Sequence, residues 1–147
     1  MRNPALFLLA AAVMAATITT AAQAQSATCS TLVANIPFEF SVGEKTLPAG
    51  RYSVSCTNPY SDQRVLRLRS EDGRYGALVQ TIAASGKPDG SARMVFRRYE
   101  DTYFFASVWM SANSSGFESR KCRPERRIAR QLAGTSPRLE TVALLSR

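Results

Sequence analysis

The stretch Ala92-Arg93-Met94-Val95-Phe96-Arg97-Arg98-Tyr99-Glu100-Asp101-Thr102-Tyr103-Phe104-Phe105-Ala106-Ser107-Val108-Trp109-Met110 decides the fold. Aromatic and β-branched residues crowd both sides of Tyr99 to Thr102, the pattern of two strands joined by a tight turn. Pairing Arg98 with Tyr103 sets Phe96 opposite Phe105, Met94 opposite Ser107 and Ala92 opposite Trp109. One face then carries Met94, Phe96, Tyr103, Phe105 and Trp109. The other carries Val95, Phe104, Ala106 and Val108 with Arg93 and Arg97. Both faces are apolar enough to need cover, which places the hairpin at the centre of the domain.

Upstream, shorter segments repeat the period of two. Ile36, Phe38, Phe40 and Val42 alternate with Pro37, Glu39 and Ser41, a half-buried strand kept to an edge or to one-sided pairing by Pro37. Val42 to Lys45 reads as a tight reversal. Leu47-Pro48-Ala49-Gly50 is a second turn and launches Arg51 to Cys56. Val65 to Arg69 points Leu66 and Leu68 inward. Glu71-Asp72-Gly73 closes a hairpin into Tyr75 to Ile82, and Ser85 to Gly90 is loop by composition. Short strands at this spacing give an all-β fold, an antiparallel β-sandwich or small barrel.

Downstream, Ser111 to Gly116 reads as loop. A short helix over about 124–133 starts at Pro124 and ends at Gly134, and Leu139 to Leu145 reads as a last strand.

The N-terminus has the form of a signal peptide. Arg2 precedes the apolar run Ala5 to Ala16, too short to span a bilayer, and Ala22-Gln23-Ala24 ends in the small residues that signal peptidase accepts. Cleavage is expected after Ala24, with a loose leader over 25–35 and one β-rich domain over 36–147. The product is expected in the periplasm or outside the cell, with no later membrane-spanning segment. Removing 24 of 147 residues leaves 123, enough for one core. Arg2 is lost with the signal, leaving 18 Lys and Arg against 11 Asp and Glu, a net charge of about +7.

Cysteine and histidine counts prune the chemistry. Cys29, Cys56 and Cys122 would all reach an oxidising compartment, so one disulfide and one spare thiol are expected. Cys56 is in phase with Tyr52 and Val54, and Cys56–Cys122 is the pair expected ahead of Cys29. The spare thiol is either a leftover or a means of homodimer formation. With no histidine in the chain, Ser-His-Asp and Cys-His nucleophiles and His-ligated metal sites are excluded; neither cofactor nor metal is expected.

Two binding surfaces remain. Arg120, Lys121, Arg123, Arg126, Arg127 and Arg130 form the densest charge run, broken only by Glu125. On a helix Arg123, Arg126, Arg127 and Arg130 fall near one face, suited to anionic envelope or extracellular polymers; nucleic acid is disfavoured by export and by the absence of a recognition motif. Alternatively, Tyr99, Tyr103, Phe105 and Trp109 on the hairpin would stack on a glycan or small ligand. Glu100 with Asp101, and Glu71 with Asp72, are adjacent acids at hairpin tips. Turn chemistry explains them better than a hydrolase pair, so no catalytic residue is assigned.

Ile36-Pro37-Phe38-Glu39-Phe40-Ser41-Val42-Gly43, Leu47-Pro48-Ala49-Gly50-Arg51-Tyr52, Val95-Phe96-Arg97-Arg98-Tyr99, Tyr103-Phe104-Phe105, Trp109, and Ser119 with Glu125-Arg126 together resemble a family of short secreted proteins. These are frequent in soil bacteria such as Acidobacteria. The likeness runs from about Ile36 to Arg127. It implies an exported single domain and carries over no catalytic or binding residue. This chain departs from the pattern at Glu100, where a glycine is expected in the hairpin loop.

Overall fold

The computed structural model describes residues 31–58, 63–86, 91–110, 115–133 and 135–146. In chain order the elements are β1 (Leu32–Ile36), β2 (Phe40–Val42), β3 (Lys45–Leu47), β4 (Gly50–Cys56), β5 (Gln63–Ser70), β6 (Gly76–Ser85), β7 (Arg93–Tyr99), β8 (Thr102–Trp109), β9 (Ser115–Ser119), α1 (Arg123–Gln131) and β10 (Arg138–Ser146). The pairing order β8-β7-β10-β1-β4-β5-β6-β9 returns to β8, so these strands close an antiparallel barrel. Closure removes most of the edge that an open sheet would present. The short hairpin β2–β3 hangs outside this ring, with β2 running parallel to the start of β8.

Alternation supplies the inner wall. Ala34, Ile36, Leu66, Leu68, Met94 and Phe96 are fully buried along β1, β5 and β7. Phe40 meets Tyr52 and Phe96 edge-on, each with ring centroids 5.3 Å apart. Phe38 stacks on Tyr103 at 3.9 Å. Each such side chain contributes roughly 1.5–3 kcal/mol by leaving water. Tyr52 also donates its hydroxyl to Pro48 O at 2.7 Å, tying the Leu47–Gly50 turn to β4.

The central hairpin forms with the expected pairs Arg98–Tyr103 and Phe96–Phe105, but a β-bulge interrupts the register between Val95 and Phe96. Beyond it Met94 lies opposite Val108 and Arg93 opposite Trp109. One extra residue on β8 flips everything after it to the other face. Val108 therefore joins Met94, Phe96 and Phe105 in the core. Trp109 moves outside, where Arg93 lies over its ring at 5.5 Å and Ser107 Oγ accepts its indole N–H at 3.0 Å. Gly116 of β9 lets the backbone approach that ring; a Cβ there would lie 2.5 Å from Trp109.

Three further expectations are corrected. The loose leader does not extend to residue 35, because Leu32–Ile36 is a strand paired on both sides, with β4 and β10. The single strand expected over Ile36–Val42 is divided: Pro37, which cannot donate to a ladder, ends β1, and Phe40 starts β2. Of the loop expected over Ser111 to Gly116, residues 111–114 lie outside the described residues, and Ser115 and Gly116 belong instead to β9, which bridges β6 and β8. Residues 1–30, and with them the expected signal peptide and Cys29, lie outside the described residues.

Candidate functional site: the basic face of α1

The β7–β8–β9 wall contains a gap. β8 offers one edge to two partners: Tyr103 and Phe104 pair with β2, whereas Ser107, Val108 and Trp109 pair with β9. Phe105 falls between them. Arg97, pointing outward from β7, spans the gap, and its Nη2 donates to Phe105 O at 3.4 Å and to Ser119 O at 3.3 Å. Carbonyls stranded where a ladder divides must find a donor or water, and this guanidinium supplies it.

Glu125, in the first turn of α1, completes the arrangement. It accepts from Arg97 Nε at 2.5 Å and Nη2 at 3.2 Å, a two-pronged pair, and from Tyr99 Oη at 3.2 Å. Its side chain is 1% exposed. Glu118 approaches the same guanidinium at 3.9 Å from the solvent side. No buried side-chain N or O among the described residues lacks a partner. The cluster docks α1 on the outer face of the central hairpin, the cover which that face required.

This anchoring decides what α1 shows to solvent. At about 100° per residue, Arg123, Arg126, Arg127 and Arg130 fall within roughly 100° of arc opposite Glu125. All four are exposed, as are Arg120 and Lys121 just ahead of the helix. None of the six forms an ion pair with a described residue; Lys121 Nζ lies 6.0 Å from the Tyr99 ring. The acid that interrupts the run in sequence is turned inward and already paired. The outer face is cationic without interruption.

The aromatic set does not assemble into one platform. Phe105 is in the core, Tyr103 is half-buried against Phe38, Tyr99 is buried under α1, and Trp109 lies on the outer wall beyond the bulge. The tip acids sit in turns. Glu100 and Asp101 are exposed, with Asp101 3.6 Å from Arg98. Glu71 is 3.7 Å from Arg51. Asp72 accepts from Ser70 Oγ and from the Arg74 N–H, which hold its carboxyl below the usual carboxylate range, the opposite of what a general acid needs.

Cys122 is a free, half-buried thiol that provides the N-cap backbone of α1, so the expected Cys56–Cys122 disulfide is not formed. The helix carries it on the outer wall, whereas Cys56 packs against the core at the end of β4, across the barrel from β8. Among the described residues no group of three or more His, Cys, Asp or Glu side chains could hold a metal ion. No helix among them is long and apolar enough to cross a membrane.

The Arg97–Glu125–Tyr99 cluster was not singled out in the sequence. Its one signal is that Arg97, Tyr99, Ser119 and Glu125 all belong to the motifs that carry the resemblance. Neither a family model, nor a curated protein, nor a solved structure matches the chain.

Proposed function

We propose that the protein is an exported, non-enzymatic β-barrel that associates with anionic polymers of the cell envelope or its surroundings through the outer face of α1. The observation that carries this reading is the separation of charge on the helix: four arginines outward, and the intervening acid turned inward and neutralised by Arg97. A solvated helix usually intersperses acids among its cations, which lowers its outer field. Here Arg120, Lys121 and Arg123 also gather at the helix N-terminus, where the dipole is already positive and disfavours cations by about 0.3–1 kcal/mol each. A polyanion relieves that repulsion. The signal-peptide form of residues 1–24 supports delivery to the periplasm or beyond.

Co-sedimentation with isolated cell envelope and with an acidic polysaccharide, across a salt series, tests the reading. Binding is expected at low salt and should fall steeply as salt screens the contacts. Replacing Arg126, Arg127 and Arg130 together by Ser should weaken it at least tenfold. No binding at low salt, or binding unchanged in the triple variant, removes α1 as the working surface.

A further inference from the structure

A second break in the wall lies where β6 passes the β2–β3 hairpin. From Thr81 to Ser85, β6 pairs with β9, but from Gly76 to Val79 it pairs only with β5. β3, on the other side of the break, pairs only with β2. Ser70 N–H donates to Tyr75 O, which sets the phase of the β5–β6 ladder. By alternation the N–H and C=O groups of Gly76 and Leu78 point away from β5, into the break. One side chain crosses it: exposed Lys45, whose Nζ donates to Gly76 O at 3.1 Å.

The break opens into a cleft of about 550 Å³. Leu78 and Tyr75 stand at its margin, 63% and 47% exposed. Lys45, Arg67, Arg69 and Arg74 also line it, against the single acid Glu44. Arg67 and Arg69 have no ion pair with a described residue.

We propose that the Gly76–Leu78 edge of β6 receives an extended acidic peptide as an added strand. Peptides bind exposed edges in this way, the main chain supplying hydrogen bonds and alternate side chains supplying specificity. The incoming strand's N–H replaces Lys45 Nζ on Gly76 O, while its carboxylates give the released ammonium and the neighbouring arginines a partner. A basic peptide would displace Lys45 with nothing to receive it. This site is separate from α1 and does not depend on the polymer reading.

The test is hydrogen exchange at the Leu78 amide, followed by NMR on the full chain with acetylated peptides of alternating Glu-Val or Lys-Val. The Leu78 N–H should exchange fast in the free protein and slow at least tenfold with the Glu-Val peptide, but not with Lys-Val. Leu78→Pro removes a donor that the β5 ladder does not use and should weaken Glu-Val binding at least tenfold. If that variant does not fold, exchange in the unmodified chain still decides. No protection at millimolar Glu-Val, or equal protection by both peptides, overturns the proposal. Protection that rises with protein concentration in the absence of peptide assigns the edge to a second copy of the chain and overturns it equally.

Discussion

The barrel wall is interrupted twice near the β2–β3 hairpin, and a cation crosses each interruption to a backbone carbonyl. Between β2 and β9, Arg97 is buried, spans two strands, and is held by a carboxylate that has its own tyrosine donor. Between β3 and β6, Lys45 is exposed and makes one bond, to Gly76 O. Burial magnifies the value of a satisfied polar cluster and the penalty for leaving it incomplete. Exposure makes the same kind of contact exchangeable with water or with another chain. The first break is therefore part of the fold, and the second is available for binding.

Removing Glu125 is the strongest way to break this comparison. Glu125→Ala leaves Arg97 buried without its counter-ion and removes the anchor of α1, so stability should fall by about 3–5 kcal/mol. Urea unfolding followed by circular dichroism checks it. The pair Arg97→Met with Glu125→Leu should lose less than the two single changes summed, because neither charge is then stranded. A loss below about 1 kcal/mol for Glu125→Ala would show that α1 is held by Ile128 and Leu132 alone, and the two breaks would no longer differ in kind.

The legible parts of the chain were those governed by period and turn chemistry. The β7–β8 pairing, the inward faces of β4 and β5, the α1 segment and the last strand follow from local alternation and caps. Three features depend on long-range geometry instead. The bulge that turns Trp109 outward changes no local propensity. β9 has a single large apolar residue, Phe117, and is made a strand by β6 and β8 on its two sides. Glu125 looked like a gap in a basic run, and only the distant Arg97 and Tyr99 turn it inward.

Glu100 carries a strain that its turn imposes. The resemblance leads to a glycine at this position, and among the described residues Glu100 is the non-glycine residue with positive φ, at 52°. It occupies the two-residue turn between β7 and β8, where left-handed backbone matches the strand twist. An L side chain there costs about 1–2 kcal/mol, partly offset in a glycine variant by the freer unfolded chain. Glu100→Gly should stabilise the protein by about 0.5–1 kcal/mol, read as a higher urea midpoint at unchanged slope. The hydrogen bond that Arg98 Nε donates to the Glu100 backbone O, at 2.6 Å, does not need the glutamate side chain. A destabilised variant would mean that the carboxylate itself holds the turn that leads into the sealed break.

The smallest expected effect sharpens the contrast from the open side. Lys45 is exposed, and its ammonium replaces a water on Gly76 O as readily as water replaces it. Lys45→Ala should therefore change stability by less than about 0.5 kcal/mol in the same urea titration. The hairpin is positioned by Phe40, Val42 and Leu47, which are buried in the core whether or not the lysine is present. If Lys45→Ala costs as much as 2 kcal/mol, on the order of breaking a charge-assisted hydrogen bond in a site closed to water, Lys45 is a structural clamp. An incoming strand would then have to break a fold contact before it could gain one, and the β6 edge would be closed to peptides for the same reason that the gap beneath α1 is closed.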